Sequence, residues 1–150
     1  SRRIRVAASW PARDRELGAS VSIDGICLTV VASDDRTMSF DVGFETLRCT
    51  GAGRWQIGSR VNLEPSLRVG DAMGGHFVTG HVDGQCQLLS VKSHDDAVEW
   101  WLSVPPALAQ FVAPKGSVAV AGVSLTVNAV ESHLSRPSAA KLPAHEDLGA

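Results

Sequence analysis

Short apolar runs that alternate with small polar residues, each cut off by Gly, Asp or Pro, dominate the hydropathy pattern of this chain. Runs rich in Val, Ile, Leu and Thr at residues 4–8, 20–23, 26–32, 37–42, 60–63, 85–91, 98–104, 117–120 and 123–130 read as β-strands. Asp24-Gly25 and Ala121-Gly122 separate paired runs at places where a positive φ is needed, so each predicts a tight hairpin or a kinked strand. Helix is confined to one turn at 45–49 and a couple of turns at 106–112, ending near Pro114. From residue 132 onward there is neither alternation nor a helical face, and no strand is expected there.

The hairpin pattern occurs twice. Ser20-Val21-Ser22-Ile23-Asp24-Gly25-Ile26-Cys27-Leu28-Thr29-Val30 returns as Ser117-Val118-Ala119-Val120-Ala121-Gly122-Val123-Ser124-Leu125-Thr126-Val127, with the glycines at 25 and 122 lying 97 residues apart. Self-similarity at a domain-sized spacing marks a duplicated unit. The telling difference is a thiol at Cys27 where the second copy has a hydroxyl at Ser124. Many short strands with tight turns, given twice, predict an all-β protein of two tandem small antiparallel Greek-key barrels. Pro65, Gly70, Gly74 and Gly75 interrupt the periodicity, so the first barrel is placed at 1–72, the N-terminal half of the second at 73–131, and a divergent tail at 132–150. Each barrel is expected to be incomplete: the first copy has no equivalent of 76–84, and the second has nothing matching the strand at 37–42 or the Glu45-Thr46-Leu47 turn.

Composition narrows the function classes. A hydrophobic fraction of 44% over 150 residues is enough for a packed core, and a formal charge of −2 with scattered Lys and Arg offers no basic stripe for nucleic acid. No apolar run approaches the roughly 20 residues of a membrane span, and the reading is a cytoplasmic protein. Three cysteines, Cys27, Cys49 and Cys86, without CxxC spacing argue for reduced thiols rather than a disulfide framework or a zinc site.

Five segments together carry a family resemblance: 20–31, Phe44-Glu45-Thr46-Leu47-Arg48, 58–63, the run Gly74-Gly75-His76-Phe77-Val78-Thr79-Gly80-His81-Val82-Asp83-Gly84, and 115–130. The chain resembles riboflavin synthases, trimeric enzymes of tandem lumazine-binding barrels, over roughly residues 1–131. In that family a Met-Phe-Thr-Gly-Ile-Val strand opens the first barrel, and the second barrel is completed and followed by a trimerisation helix. Here the matching region starts inside the first barrel and departs after Glu131, as a chain truncated at both ends would.

The resemblance implies a dismutation in which one 6,7-dimethyl-8-ribityllumazine passes a four-carbon unit to another, giving riboflavin and a pyrimidinedione, with no metal and no cofactor. It implies a homotrimer, with lumazine synthase as a candidate partner. Position by position, His81 matches the family's active-site histidine, and Cys27 and Ser124 match polar groups at the pteridine sites. These three are the candidate catalytic residues. Ser20, Thr29, Thr46 and Thr126 match hydroxyls that bond ring or ribityl oxygens. Asp41 begins a loop, 41–46, that closes over the ligand, Lys115 matches a ligand-contacting position, and Leu28, Gly80, Val82 and Leu125 complete the substrate-binding set.

Several of these candidates also have a purely structural role open to them. Cys27 suits a small buried hydrophobe, Thr29 and Thr126 suit strands, and His81 beside glycine suits a turn. Gly122-Val123-Ser124-Leu125-Thr126 departs from a nucleophile elbow at its last position, where glycine is required. Three functional classes follow: a riboflavin synthase, a non-catalytic lumazine or flavin carrier on the same barrels, and an inactive truncated remnant.

Overall fold

The computed structural model describes residues 1–94, 97–133 and 136–144. In the first half, β1 (Arg2–Ala7), β2 (Ser20–Ile23), β3 (Ile26–Ser33), β4 (Thr37–Val42) and β5 (Leu63–Pro65) form one antiparallel sheet in the order β1-β4-β3-β2-β5. Its alternation follows the sequence period of two. Val21, Ile23, Ile26, Leu28, Val30, Met38, Phe40 and Val42 are buried, while Ser20, Cys27, Thr29 and Asp41 are exposed. Burial of each large apolar side chain in this cluster contributes about 1.5–3 kcal/mol. Trp10, Trp55 and Leu63 close its flanks, and so does Val82 from beyond the glycine-rich stretch.

The second half holds β6 (Leu88–His94), β7 (Ala97–Ser103), β8 (Ser117–Val120), β9 (Val123–Thr126), β10 (Ala129–His133) and β11 (Arg136–Ala144). β10-β11-β7-β6 form a four-stranded antiparallel sheet, and β8 and β9 a separate hairpin. These open sheets, short strands and tight turns are the incomplete antiparallel barrels that the sequence predicts.

The expectation that no strand follows residue 132 is corrected: β11 pairs with both β7 and β10. It is also the counterpart of β4, because β4 lies between β1 and β3 as β11 lies between β7 and β10. The second copy therefore does possess the strand it was expected to lack. Repeated Ala and Pro hide the alternation, yet Ala140 and Leu142 are buried in the second core beside Leu102, Val104, Leu125 and Val127. Lys141, between them, forms an ion pair with Glu99 of β7 and so fixes the outward face. Residues 134–135 and 145–150 of the expected tail lie outside the described residues.

Two further elements shift. The run at 60–63 contributes only its end to β5, because the Asn62 backbone is tied to the first hairpin turn: the Asp24 N–H donates to the Asn62 carbonyl (2.9 Å), and the Asn62 N–H to the Asp24 carboxylate (2.8 Å). The helix at 45–49 is present as α1 (Phe44–Cys49), whereas 106–112 yields a single 3-10 turn at Ala109–Phe111. The Leu108 and Ala109 N–H groups donate to the carbonyls of Pro105 and Pro106, three residues back, so the segment turns with 3-10 spacing.

Candidate functional site

Each hairpin closes with two left-handed residues, as a type I′ turn requires. Asp24 and Gly25 have φ of 50° and 82°, and Ala121 and Gly122 have 48° and 82°. The turn fixes the register. Ser22 faces Cys27 and Ser20 faces Thr29 in the first hairpin, while Ala119 faces Ser124 and Ser117 faces Thr126 in the second. Since successive side chains alternate, these residues share the outer face of each hairpin and the leucines between them turn inward. Cys27, Thr29, Ser124 and Thr126 are exposed, so a buried structural role for Cys27 is excluded.

The equivalence extends to the backbone around the hairpins. The Gly18 N–H donates to Val30 (2.9 Å) and the Val30 N–H to Ala19 (2.9 Å); 97 residues on, Lys115 donates to Val127 (2.7 Å) and Val127 to Gly116 (2.9 Å). Gly18 and Lys115 both adopt left-handed φ, 86° and 67°. Lys115 therefore occupies a position that the first copy gives to glycine.

The two turns abut. A Cβ on Gly25 would lie 2.9 Å from the Gly122 nitrogen, and one on Gly122 the same distance from the Gly25 nitrogen, so neither position admits a side chain. Asp24 locks this junction: Trp55 Nε1–H donates to its carboxylate (2.9 Å), and Asn62 reaches across to the Ala121 carbonyl through its side-chain amide (3.0 Å).

The glycine-rich segment between the halves runs over both hairpins. The Cys27 N–H donates to the Gly80 carbonyl (2.9 Å). Gly80, at φ 73°, is so close that a Cβ would lie 2.5 Å from that of Cys27, and Gly75, at φ 77°, stands in the same relation to Ser124 at 2.6 Å. His76 Nδ1 lies 2.7 Å from Ser124 Oγ. His81 is exposed. A hollow of about 1060 Å³ between the halves is lined by Asp24, Trp55, His76, His81 and Val82, but does not extend to Cys27, Thr29, Ser124 or Thr126. A smaller one, about 400 Å³, joins His76 and Ser124 with Ser22 and Asn62.

Gly80, His81 and Val82 are thus brought to the first hairpin, and Cys27 and Ser124 to equivalent places. The remaining expected residues are spread more widely. Leu28 and Leu125 are buried in the two cores, which leaves only their backbone for a ligand. Asp41 is the penultimate residue of β4 and Thr46 lies in α1, so 41–46 is a strand end and helix start rather than a loop. The Asp41 carboxylate is engaged by Arg3 through two bonds of 2.7 and 2.6 Å, which hold its pKa below the usual carboxylate range. Ser20 and Thr29 remain a facing pair. Three features were missed by sequence reasoning: the His76–Ser124 contact, the Asp24–Trp55–Asn62 lock and the partner of Asp41. A signal existed only for the first, as the dipeptide Gly-His occurs twice, at 75–76 and 80–81.

Among the described residues no three His, Cys, Asp or Glu side chains gather as a metal site, and no helix is long and apolar enough to cross a membrane. The chain matches the lumazine binding domain family model over residues 1–66 and 79–141. It is 46% identical over 135 residues to the riboflavin synthase of Brucella abortus (strain 2308), an alignment covering 87% of this chain and 67% of that protein. It is 39% identical to that of Bacillus amyloliquefaciens, over 83% of this chain and 58% of the relative. With the riboflavin synthase of Bacillus subtilis (strain 168) the identity is 40%, over 76% and 53%. The chain thus spans little more than half to two thirds of the length of these relatives. In fold it is similar to the crystal structure of LumP complexed with riboflavin, with a TM-score of 0.72 at 22% identity, covering 94% of this chain and 76% of that one. LumP complexed with 6,7-dimethyl-8-(1'-D-ribityl) lumazine gives 0.70 at 20% identity, over the same shares.

Proposed function

We propose a function from one premise: the chain belongs to the lumazine-binding domain family that includes the riboflavin synthases. The proposed reaction is theirs as the sequence resemblance implies it, conversion of two 6,7-dimethyl-8-ribityllumazine molecules to riboflavin and 5-amino-6-ribitylamino-pyrimidinedione by transfer of a four-carbon unit. The observation that carries this reading is the pair of hairpins with one register, one turn type and one outward polar face, differing at Cys27 and Ser124. A reaction between two copies of one molecule calls for two copies of one cradle. Holding both reactants in a fixed orientation is worth on the order of 7–11 kcal/mol of barrier.

In this reading Ser20, Thr29, Thr46 and Thr126 bind ring or ribityl oxygens, and Lys115 contacts the ligand. Backbone groups of Leu28, Gly80, Val82 and Leu125 line the two sites, and Asp41 keeps its orientation through Arg3. His81, exposed at the edge of the hollow between the halves, exchanges the proton that leaves the lumazine 7-methyl group, for which an imidazole suits neutral pH. Cys27 and Ser124 are the nucleophile candidates, one for each site. A homotrimer, association with lumazine synthase and a cytoplasmic location belong to the same proposal.

Turnover of the lumazine to riboflavin, followed by absorbance in the parent and in His81→Ala, tests it. A rate in the parent that falls 10²–10⁴-fold in the variant, with binding little changed, is expected for lost acid–base assistance. Equal rates would remove His81 from the mechanism. Binding without turnover in the parent would make the chain a lumazine or flavin carrier.

A further inference from the structure

We infer that His76 is a positioning residue for the second hairpin: it holds and orients the Ser124 hydroxyl, as one of two Gly-His units that the connecting segment delivers, one to each copy of the repeat. Three observations carry this. The two glycines share a left-handed conformation, φ 77° at Gly75 and 73° at Gly80, and each lies closer than any side chain would permit to the Cβ of the residue where the copies diverge. Those residues, Ser124 and Cys27, are equivalent in the repeat, so two successive Gly-His pairs in one short segment meet one structural position twice. Finally, His76 Nδ1 is within hydrogen-bond distance of Ser124 Oγ, at 2.7 Å.

The chemistry differs between the copies in a way that explains the pairing. A hydroxyl rotates freely and can donate in any direction. An imidazole nitrogen at its oxygen fixes that direction, whichever partner donates. A thiol is a weak donor and gains little from such a partner, which fits the backbone bond, rather than an imidazole bond, that ties the segment to Cys27. The ligand side of this inference rests on the lumazine-binding reading; the pair itself rests on geometry alone.

The test uses the full chain and two readouts. Fluorescence titration with 6,7-dimethyl-8-ribityllumazine compares the parent with His76→Ala, Ser124→Ala, the double variant and His76→Gln. Each single alanine is expected to weaken one class of sites roughly 2- to 10-fold, the range of one net hydrogen bond. The double variant should weaken it no further, and the glutamine, whose amide can also hold the hydroxyl, should restore most of the loss. Losses that multiply in the double variant, or His76→Ala binding like the parent, would overturn the inference. Ring nitrogen NMR shifts of His76 in the parent and in Ser124→Ala form the second readout. A shift change is expected, and its absence would overturn the pair even if no lumazine binds; failure of the parent to bind would refute the ligand reading alone.

Discussion

Backbone conformation at single residues separates stability from function most clearly at Lys115. Its φ of 67° sits where the equivalent residue is Gly18, and its N–H makes the same bond to the strand as that glycine. A non-glycine residue in the left-handed region carries a standing cost, which the surrounding hydrogen bonds impose at Lys115. Lys115→Gly is therefore expected to stabilise the chain by about 0.5–1 kcal/mol in urea unfolding while weakening lumazine binding. Loss of stability would show that the lysine backbone is not strained, and binding as tight as the parent would show that its side chain is not a contact. The carboxylate of Asp41 gives the opposite lesson. Its sequence match marks a ligand position, but its guanidinium partner comes from Arg3 on a neighbouring strand, and no local pattern announces a bond between residues 38 apart in sequence.

Elements were legible where alternation was clean. β2, β4 and β8 fall on the expected residues, and both turns take the conformation that Asp24-Gly25 and Ala121-Gly122 demand. The polar outer faces bearing Cys27 and Ser124 follow directly from that register. β11 was illegible because its inward residues, Ala140 and Leu142, stand among alanines and prolines with little hydropathy contrast, and because pairing with β7 is a long-range choice. Its packing has a direct check. Leu142 is 1% exposed, so Leu142→Ala should cost about 2–5 kcal/mol in denaturant unfolding. A change within a few tenths of a kcal/mol would mean that β11 does not complete the second core. The segment at 74–84 was similarly half legible: its glycines predicted an irregular stretch, but its position across both hairpins arises from contacts with residues about 50 positions away on either side.

At the scale of the whole molecule, duplication organises everything else. Two equivalent hairpins meet at glycine turns too close for any side chain, and a single segment delivers one Gly-His unit to each. Cys27 and Ser124 then become corresponding groups on corresponding faces, which suits a reaction between two identical substrates. The most direct measurement is an equilibrium titration with 6,7-dimethyl-8-ribityllumazine, followed by ligand fluorescence, in the parent and in a variant carrying Thr29→Val and Thr126→Val. Valine keeps the strands and removes only the outward hydroxyls. Saturable binding in the parent that weakens roughly 2- to 10-fold at each class of site in the variant is expected from the loss of one hydrogen bond at each face. A folded parent with no saturable binding, or a variant that binds as the parent does, would contradict the assignment of the two hairpin faces as lumazine sites.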